Sequence, residues 1–150
     1  MIFRKVNPKP YLKQRCIATL IDYGIFLTLC YIYIITFGTE TEQGIIQVTG
    51  LLTLPIPICW FIYFVMTEAI NQSTPGHDIC KLKVYKSDAS RIGLYDALKR
   101  RICDPVDLFI YGIPALITIS KSPKHQRLGD MLADTVVCKP SDIEVNEVIF

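Results

Sequence analysis

The chain has 150 residues, 51% of them hydrophobic, with a mean hydropathy of +0.34 and a net charge of +2. That near balance, with no basic patch interleaved with aromatic residues, argues against a nucleic-acid binder. The apolar residues lie in long uncharged blocks, which excludes an ordinary soluble core and points to an integral membrane protein.

Residues 1–13 form a short polar lead containing Pro8 and Pro10. A first transmembrane helix is predicted over about 13–37. Tyr23 to Thr39 carries no charge, and with the uncharged Cys16–Ile21 stretch it supplies the roughly 20 residues that cross a hydrocarbon core about 30 Å thick. The block is too long for a cleaved leader, contains Asp22, and ends in ITFGTE, which offers no small-x-small cleavage site; a retained helix is expected. Arg15, Ala18 and Asp22 fall on one stripe of it, and the small Ala18 would let a neighbour approach closely. Tyr31 and Tyr33 approach the outer end, where amphipathic rings suit the interface.

A second transmembrane helix is predicted over about 46–70, since no charge occurs from Gln43 to Thr67. Pro55 and Pro57 fall inside it and predict a kink, either a plain bend or one that opens a cavity. Glu68, near its end, is placed to meet Arg15 or Arg100.

The segment 71–99 is polar and basic. Within it, DICKLKVYK alternates Ile79, Leu82 and Val84 with Lys81, Lys83 and Lys86, a strand signal; Thr135–Lys139 (TVVCK) is a second, and the two are expected to pair as a small cytoplasmic β-ribbon. His77 and His125 lie in polar surroundings and read as surface residues.

Residues 100–120 form the third apolar segment. It opens with Arg100 and Asp107, the same seven-residue spacing as Arg15 and Asp22, close to two helical turns and so on one helix face. Only Leu108 to Ser120 is free of charge, 13 residues and roughly 20 Å of helix, short of a span. Gly112 and Pro114 interrupt it. The segment is therefore either a re-entrant hairpin with both ends on one side or a kinked third span with Asp104 and Asp107 buried. In the tail, 121–150, KHQRLGDMLADT reads as a turn of helix or a capped loop in which Arg127 and Asp130 pair locally; SDIEVNEVIF reads as an acidic, mobile end.

The positive-inside rule orients these segments. Five basic residues precede Cys16, seven lie in 71–101, and the connector 38–50 holds Glu40 and Glu42 with no Lys or Arg. The N-terminus, the 71–101 segment and the C-terminal tail are thus expected in the cytoplasm. The six cysteines form no CxxC, so neither a metal nor another cofactor is expected. No nucleophile with a nearby base, no HExxH and no phosphate loop is present, which argues against an enzyme. The expected architecture is an all-α membrane protein: two transmembrane helices, a third re-entrant or kinked membrane segment and a small cytoplasmic β-ribbon, in one domain over 1–150. Charges inside a membrane are costly without partners, so Arg15, Asp22, Glu68, Arg100, Asp104, Asp107, Arg127 and Asp130 are the candidate ligand or ion cluster.

Over residues 11–139 the chain resembles the RDD family of bacterial membrane proteins. The likeness rests on Arg15, Ala18 and Asp22, on STPGHDICKLKV, on Arg100 through Asp107, and on HQRLGDMLADTVV. The family's arginine and first aspartate correspond to Arg15 and Asp22, and its second aspartate to Asp107, with Asp104 as the alternative. Its Gly-x-Thr-x-Gly-Lys pattern reads Gln72 to His77 here, with His77 in place of lysine. The resemblance implies the bacterial inner membrane and a transport role, including sodium/proton exchange for some members. Two readings of function follow. One is an oligomeric transport component that handles a cation or proton, built as a homo-oligomer or with other membrane subunits, because two or three spans enclose no pathway. The other is a structural or accessory subunit whose Arg–Asp pairs staple the helices.

Overall fold

A computed structural model describes residues 2–108 and 112–147. The first long helix, α1 (Leu12–Phe37), has 26 residues and buries Arg15, Ala18, Asp22 and Phe26. Those four are spaced three, four and four, so they form the single stripe anticipated for Arg15, Ala18 and Asp22. The other faces are bare: Leu20 is 74% and Tyr31 65% exposed.

The second long helix, α2 (Gly50–Asn71), has 22 residues. Both helices are long and apolar enough to cross a membrane, and in each only 11% of the apolar window is buried inside the protein. A core helix of a soluble domain hides most of its apolar surface; these leave theirs for lipid.

The start of α2 differs from expectation. Ile46–Gln47 is not helical; it pairs antiparallel with Thr39–Glu40 as a small hairpin, β2 and β3. The helix opens with a 3₁₀ turn, Gly50–Thr53, and becomes α-helical at Pro55. Pro55 and Pro57 therefore occupy the first α-helical turn, where a missing amide costs little. The departure from α geometry lies deeper, at Phe61–Met66, which is π-helical. From that turn Phe64, fully buried, packs against Tyr23 at 4.9 Å and Phe26 at 5.5 Å between ring centroids. This aromatic contact joins α2 to α1.

After α2 the chain turns into a five-residue helix, α3 (Pro75–Ile79), so the strand anticipated from Ile79 begins only at β4 (Lys83–Lys86). Strand β5 (Thr135–Cys138) pairs with β4 antiparallel, Lys83 opposite Cys138 and Lys86 opposite Thr135, giving the predicted ribbon. Its inner face joins a compact apolar cluster of Val65, Leu82, Val84, Ile92, Ala97 and Val137. The ribbon is thereby seated on the end of α2.

Helix α4 (Leu94–Ile102) is capped where the Asp96 carboxylate accepts the Gly93 amide at 2.9 Å. It ends before Asp107, and a new helix, α5 (Asp104–Leu108), begins. Pro105 has no amide to continue the ladder, so Arg100 and Asp107 stand on separate helices, not on one face as the spacing implied. Helix α6 (Ile113–Lys121) has nine residues, about 13 Å at helical rise, and is followed by α7 (Leu128–Leu132). The interruption expected at Gly112 and Pro114 is where α6 starts: Gly112 stands before it at φ 79 and Pro114 lies in its first turn, while residues 109–111 lie outside the described residues.

The polar lead and the acidic tail are not loose ends. Strand β1 (Ile2–Val6) pairs antiparallel with β6 (Ile143–Glu147), Val6 opposite Ile143. Beside them the Tyr11 hydroxyl donates to Asp142 at 2.7 Å and Lys9 pairs with it at 3.1 Å. Residues 148–150 of the anticipated mobile end lie outside the described residues.

Candidate functional site

Two buried polar centres adjoin one another at the N-terminal half of α1. The first surrounds Asp22, which is 1% exposed. Its Oδ2 accepts the Thr74 hydroxyl at 2.5 Å and lies 3.2 Å from His77 Nδ1; its Oδ1 accepts the Gly76 amide at 2.7 Å and the Tyr63 hydroxyl at 3.3 Å. This close approach depends on a glycine. A Cβ at Gly76 would fall 2.2 Å from the Ala18 carbonyl oxygen and 2.8 Å from Asp22 Cγ. The small pair Ala18 and Gly76 thus lets α3 dock against α1, as the stripe implied.

His77 is 8% exposed, not a surface residue. Its position just past Pro75 and Gly76 folds it under α1. Burial is the largest influence on its imidazole and holds the pKa below the ordinary value; the bond to Asp22 opposes that shift without cancelling it. The Thr74 hydroxyl sits 2.8 Å from the same ring nitrogen.

The second centre gathers seven of the eight predicted residues and adds Arg101. Glu68, at the end of α2, accepts Arg100 Nη1 on Oε1 and Arg101 Nη2 on Oε2. Asp130, from α7, accepts Arg15 Nη2 at 2.5 Å and Arg100 Nε at 2.8 Å. Asp104 takes Arg101 Nη1 at 3.1 Å and the Tyr23 hydroxyl at 2.9 Å, and Arg127 Nη1 lies 2.9 Å from its other oxygen. Asp107 accepts the amides of Leu128 at 3.1 Å and Gly129 at 3.0 Å, capping the start of α7. Arg127 Nε reaches Asp130 at 3.5 Å, the local pairing expected from their spacing. A Cβ at Gly129 would come 2.4 Å from the Arg100 carbonyl oxygen, so glycine is needed here for the same reason as at 76.

The seven-residue pairs do not pair internally. Arg15 binds Asp130 and the His125 carbonyl oxygen, while Asp22 binds α3. Arg100 binds Glu68 and Asp130, while Asp107 binds the start of α7. Each spacing therefore delivers two charges to two different partners. Among the described residues the cluster holds four guanidiniums, Arg15, Arg100, Arg101 and Arg127, against four carboxylates, Glu68, Asp104, Asp107 and Asp130, and all eight are buried. Burial by itself would raise the Asp130 carboxyl, but Arg100, Arg15 and Arg127 outweigh it and hold the pKa well below the carboxylate range. Burial would likewise lower Arg127, and Asp104, Asp130 and Asp107 more than reverse it. Arg101 lays its guanidinium 4.9 Å from the centre of the Phe64 ring, a cation–π contact from the cluster to the aromatic joint.

A family model for the RDD family matches residues 9–134, which takes in both centres. The chain belongs to the RDD family. No curated protein and no solved structure matches it. In this RDD chain the arginine and aspartates that carry the resemblance divide between the two centres, Arg15 and Asp107 in the cluster and Asp22 in the cradle. Sequence reasoning missed Arg101, Thr74 and His77. Arg101 had a signal, being next to Arg100 at the edge of an apolar stretch; the other two are brought to Asp22 only by the turn between α2 and α3.

Proposed function

We propose that this RDD protein is a non-enzymatic, multi-pass component of a bacterial inner membrane, serving as a structural or accessory subunit of a larger assembly. Its two long helices span the bilayer, residues 100–120 re-enter it, and both termini lie in the cytoplasm. The observation that carries this reading is the closed charge cluster. Each of its carboxylates is already occupied by guanidinium or backbone donors, and it ties together α1, α2, α4, α5 and α7. A cation carrier needs a carboxylate that can exchange its partner for an ion, and a balanced, buried set resists that exchange.

A second reading, proton or cation handling by a homo-oligomer, is favoured by one contact. His77 touches Asp22 and also lines a cavity beside α1, so a titratable group borders both. Native purification in mild detergent with mass determination, together with flux in proteoliposomes of the purified chain, separates the two. The subunit reading expects co-purifying membrane partners and no cation-dependent proton flux. Flux from the chain alone that Asp22→Asn abolishes, with the protein still folded, would overturn it.

A further inference from the structure

A cavity of about 400 Å³ opens between the first half of α1 and α6. Small-molecule sites fall in the range of roughly 300–1,000 Å³. Its wall is chemically divided. Arg15, His77 and Arg127 contribute polar donors, Leu20, Leu116 and Ile119 contribute apolar surface, and among the described residues no carboxylate lines it. The acidic members of the cluster lie behind the arginines that neutralise them.

Two of the lining groups keep donor or acceptor capacity in hand. Arg127 is 8% exposed and spends Nε and Nη1 on Asp130 and Asp104; among the described residues its Nη2 has no protein partner. His77 is equally buried and spends Nδ1 on Asp22 and Thr74, leaving Nε2 without one among the same residues. A planar guanidinium edge suits phosphate geometry. The apolar half continues outward: Leu20 is 74% and Ile117 48% exposed, so the cavity leads onto the bare faces of α1 and α6 rather than into water alone. Lys121 and Lys124, both exposed, follow at the end of α6.

We propose that this cavity binds one anionic phospholipid, its phosphate on Arg127 and Arg15 beside His77 and an acyl chain along Leu20 and Leu116. An inorganic anion would use the donors and leave the apolar wall wet; a zwitterionic lipid would bring a cation against two guanidiniums. The site is separate from the subunit reading above and stands whether or not the cluster carries ions.

The test uses the full chain in nanodiscs and in detergent, probed by native mass spectrometry with phosphatidylglycerol, phosphatidylcholine and inorganic phosphate. Phosphatidylglycerol is expected to bind at least about tenfold more tightly than phosphatidylcholine. Ala115→Trp and, from the opposite wall, Thr19→Trp fill the cavity and replace no member of an ion pair. Each should abolish the tightly held lipid while leaving the thermal transition in lipid-free detergent in place. Equal retention of the two lipids by the unaltered protein would overturn the proposal. So would phosphatidylglycerol binding that persists in a folded filled-cavity variant, or displacement of the lipid by millimolar phosphate.

Discussion

Asp22 and Asp130 are both carboxylates withdrawn from water, and the protein satisfies them by opposite means. Asp22 is held by a hydroxyl of Thr74, an amide of Gly76, the imidazole of His77 and the phenol of Tyr63. Asp130 is held by three guanidiniums. The cradle is dipolar and centred on one five-residue helix docked on α1, its bonds spanning 41 to 55 positions. The cluster is ionic and long-range, joining residues up to 115 positions apart. The comparison separates two kinds of dependence: dipolar donors can be removed one by one, whereas a balanced charge set loses its balance at the first removal.

The largest effect is expected on the ionic side. Asp130→Asn leaves Arg15 and Arg100 short of a counter-charge, and stripping one partner from a buried ion pair costs about 3–5 kcal/mol. Thermal unfolding of the detergent-solubilised protein should show it, as a transition lost or lowered by far more than any cradle variant produces. A near-normal transition would mean that the cluster is better hydrated than its burial implies.

Next comes the close approach beneath the cradle. Gly76→Ala places a methyl 2.2 Å from the Ala18 carbonyl oxygen, so α3 must move away from α1 and lengthen the bonds to Asp22. Overpacking of this kind costs about 1–3 kcal/mol. The same thermal assay should register it. A neutral outcome would show that α3 is free to shift and that the cradle is not rigid.

The smallest effect is pH-dependent and belongs to the cradle alone. Folding lowers the His77 pKa, so as pH falls the unfolded chain binds the proton first. The contribution of His77 to stability is therefore whole above its ordinary value of about 6.5 and declines as pH drops below it. His77→Gln should flatten the stability profile between pH 8 and 5. Parallel profiles for the two proteins would remove His77 as the source.

The same division explains what could be read from sequence. The stripe Arg15, Ala18, Asp22 was legible because helix periodicity fixes it locally, and the ribbon was legible because DICKLKVYK and TVVCK alternate or branch as strands do. Partner choice was not. Seven-residue spacing puts two charges on one face, yet which charge meets which is decided by the fold around Asp130, far along the chain. Pro105 broke the second pair onto two helices, and Pro55 and Pro57 fall in the first α-helical turn after a 3₁₀ opening rather than in mid-helix. The acidic tail read as mobile from its charge, although the spacing of Ile143 and Val145 permits a strand; its partner, β1, lies at the other end of the chain.

The bond from Arg15 to Asp130 also has a biosynthetic consequence. At roughly 5–20 residues per second, the 115 positions that separate them take roughly 6 to 23 s to synthesise. Through that interval Arg15 lacks Asp130, and once α4 is made Arg100 has only Glu68 of its two partners. A first helix entering the bilayer therefore waits with an unneutralised charge for the arrival of α7. Chains truncated before Asp130 would be left permanently in that waiting state.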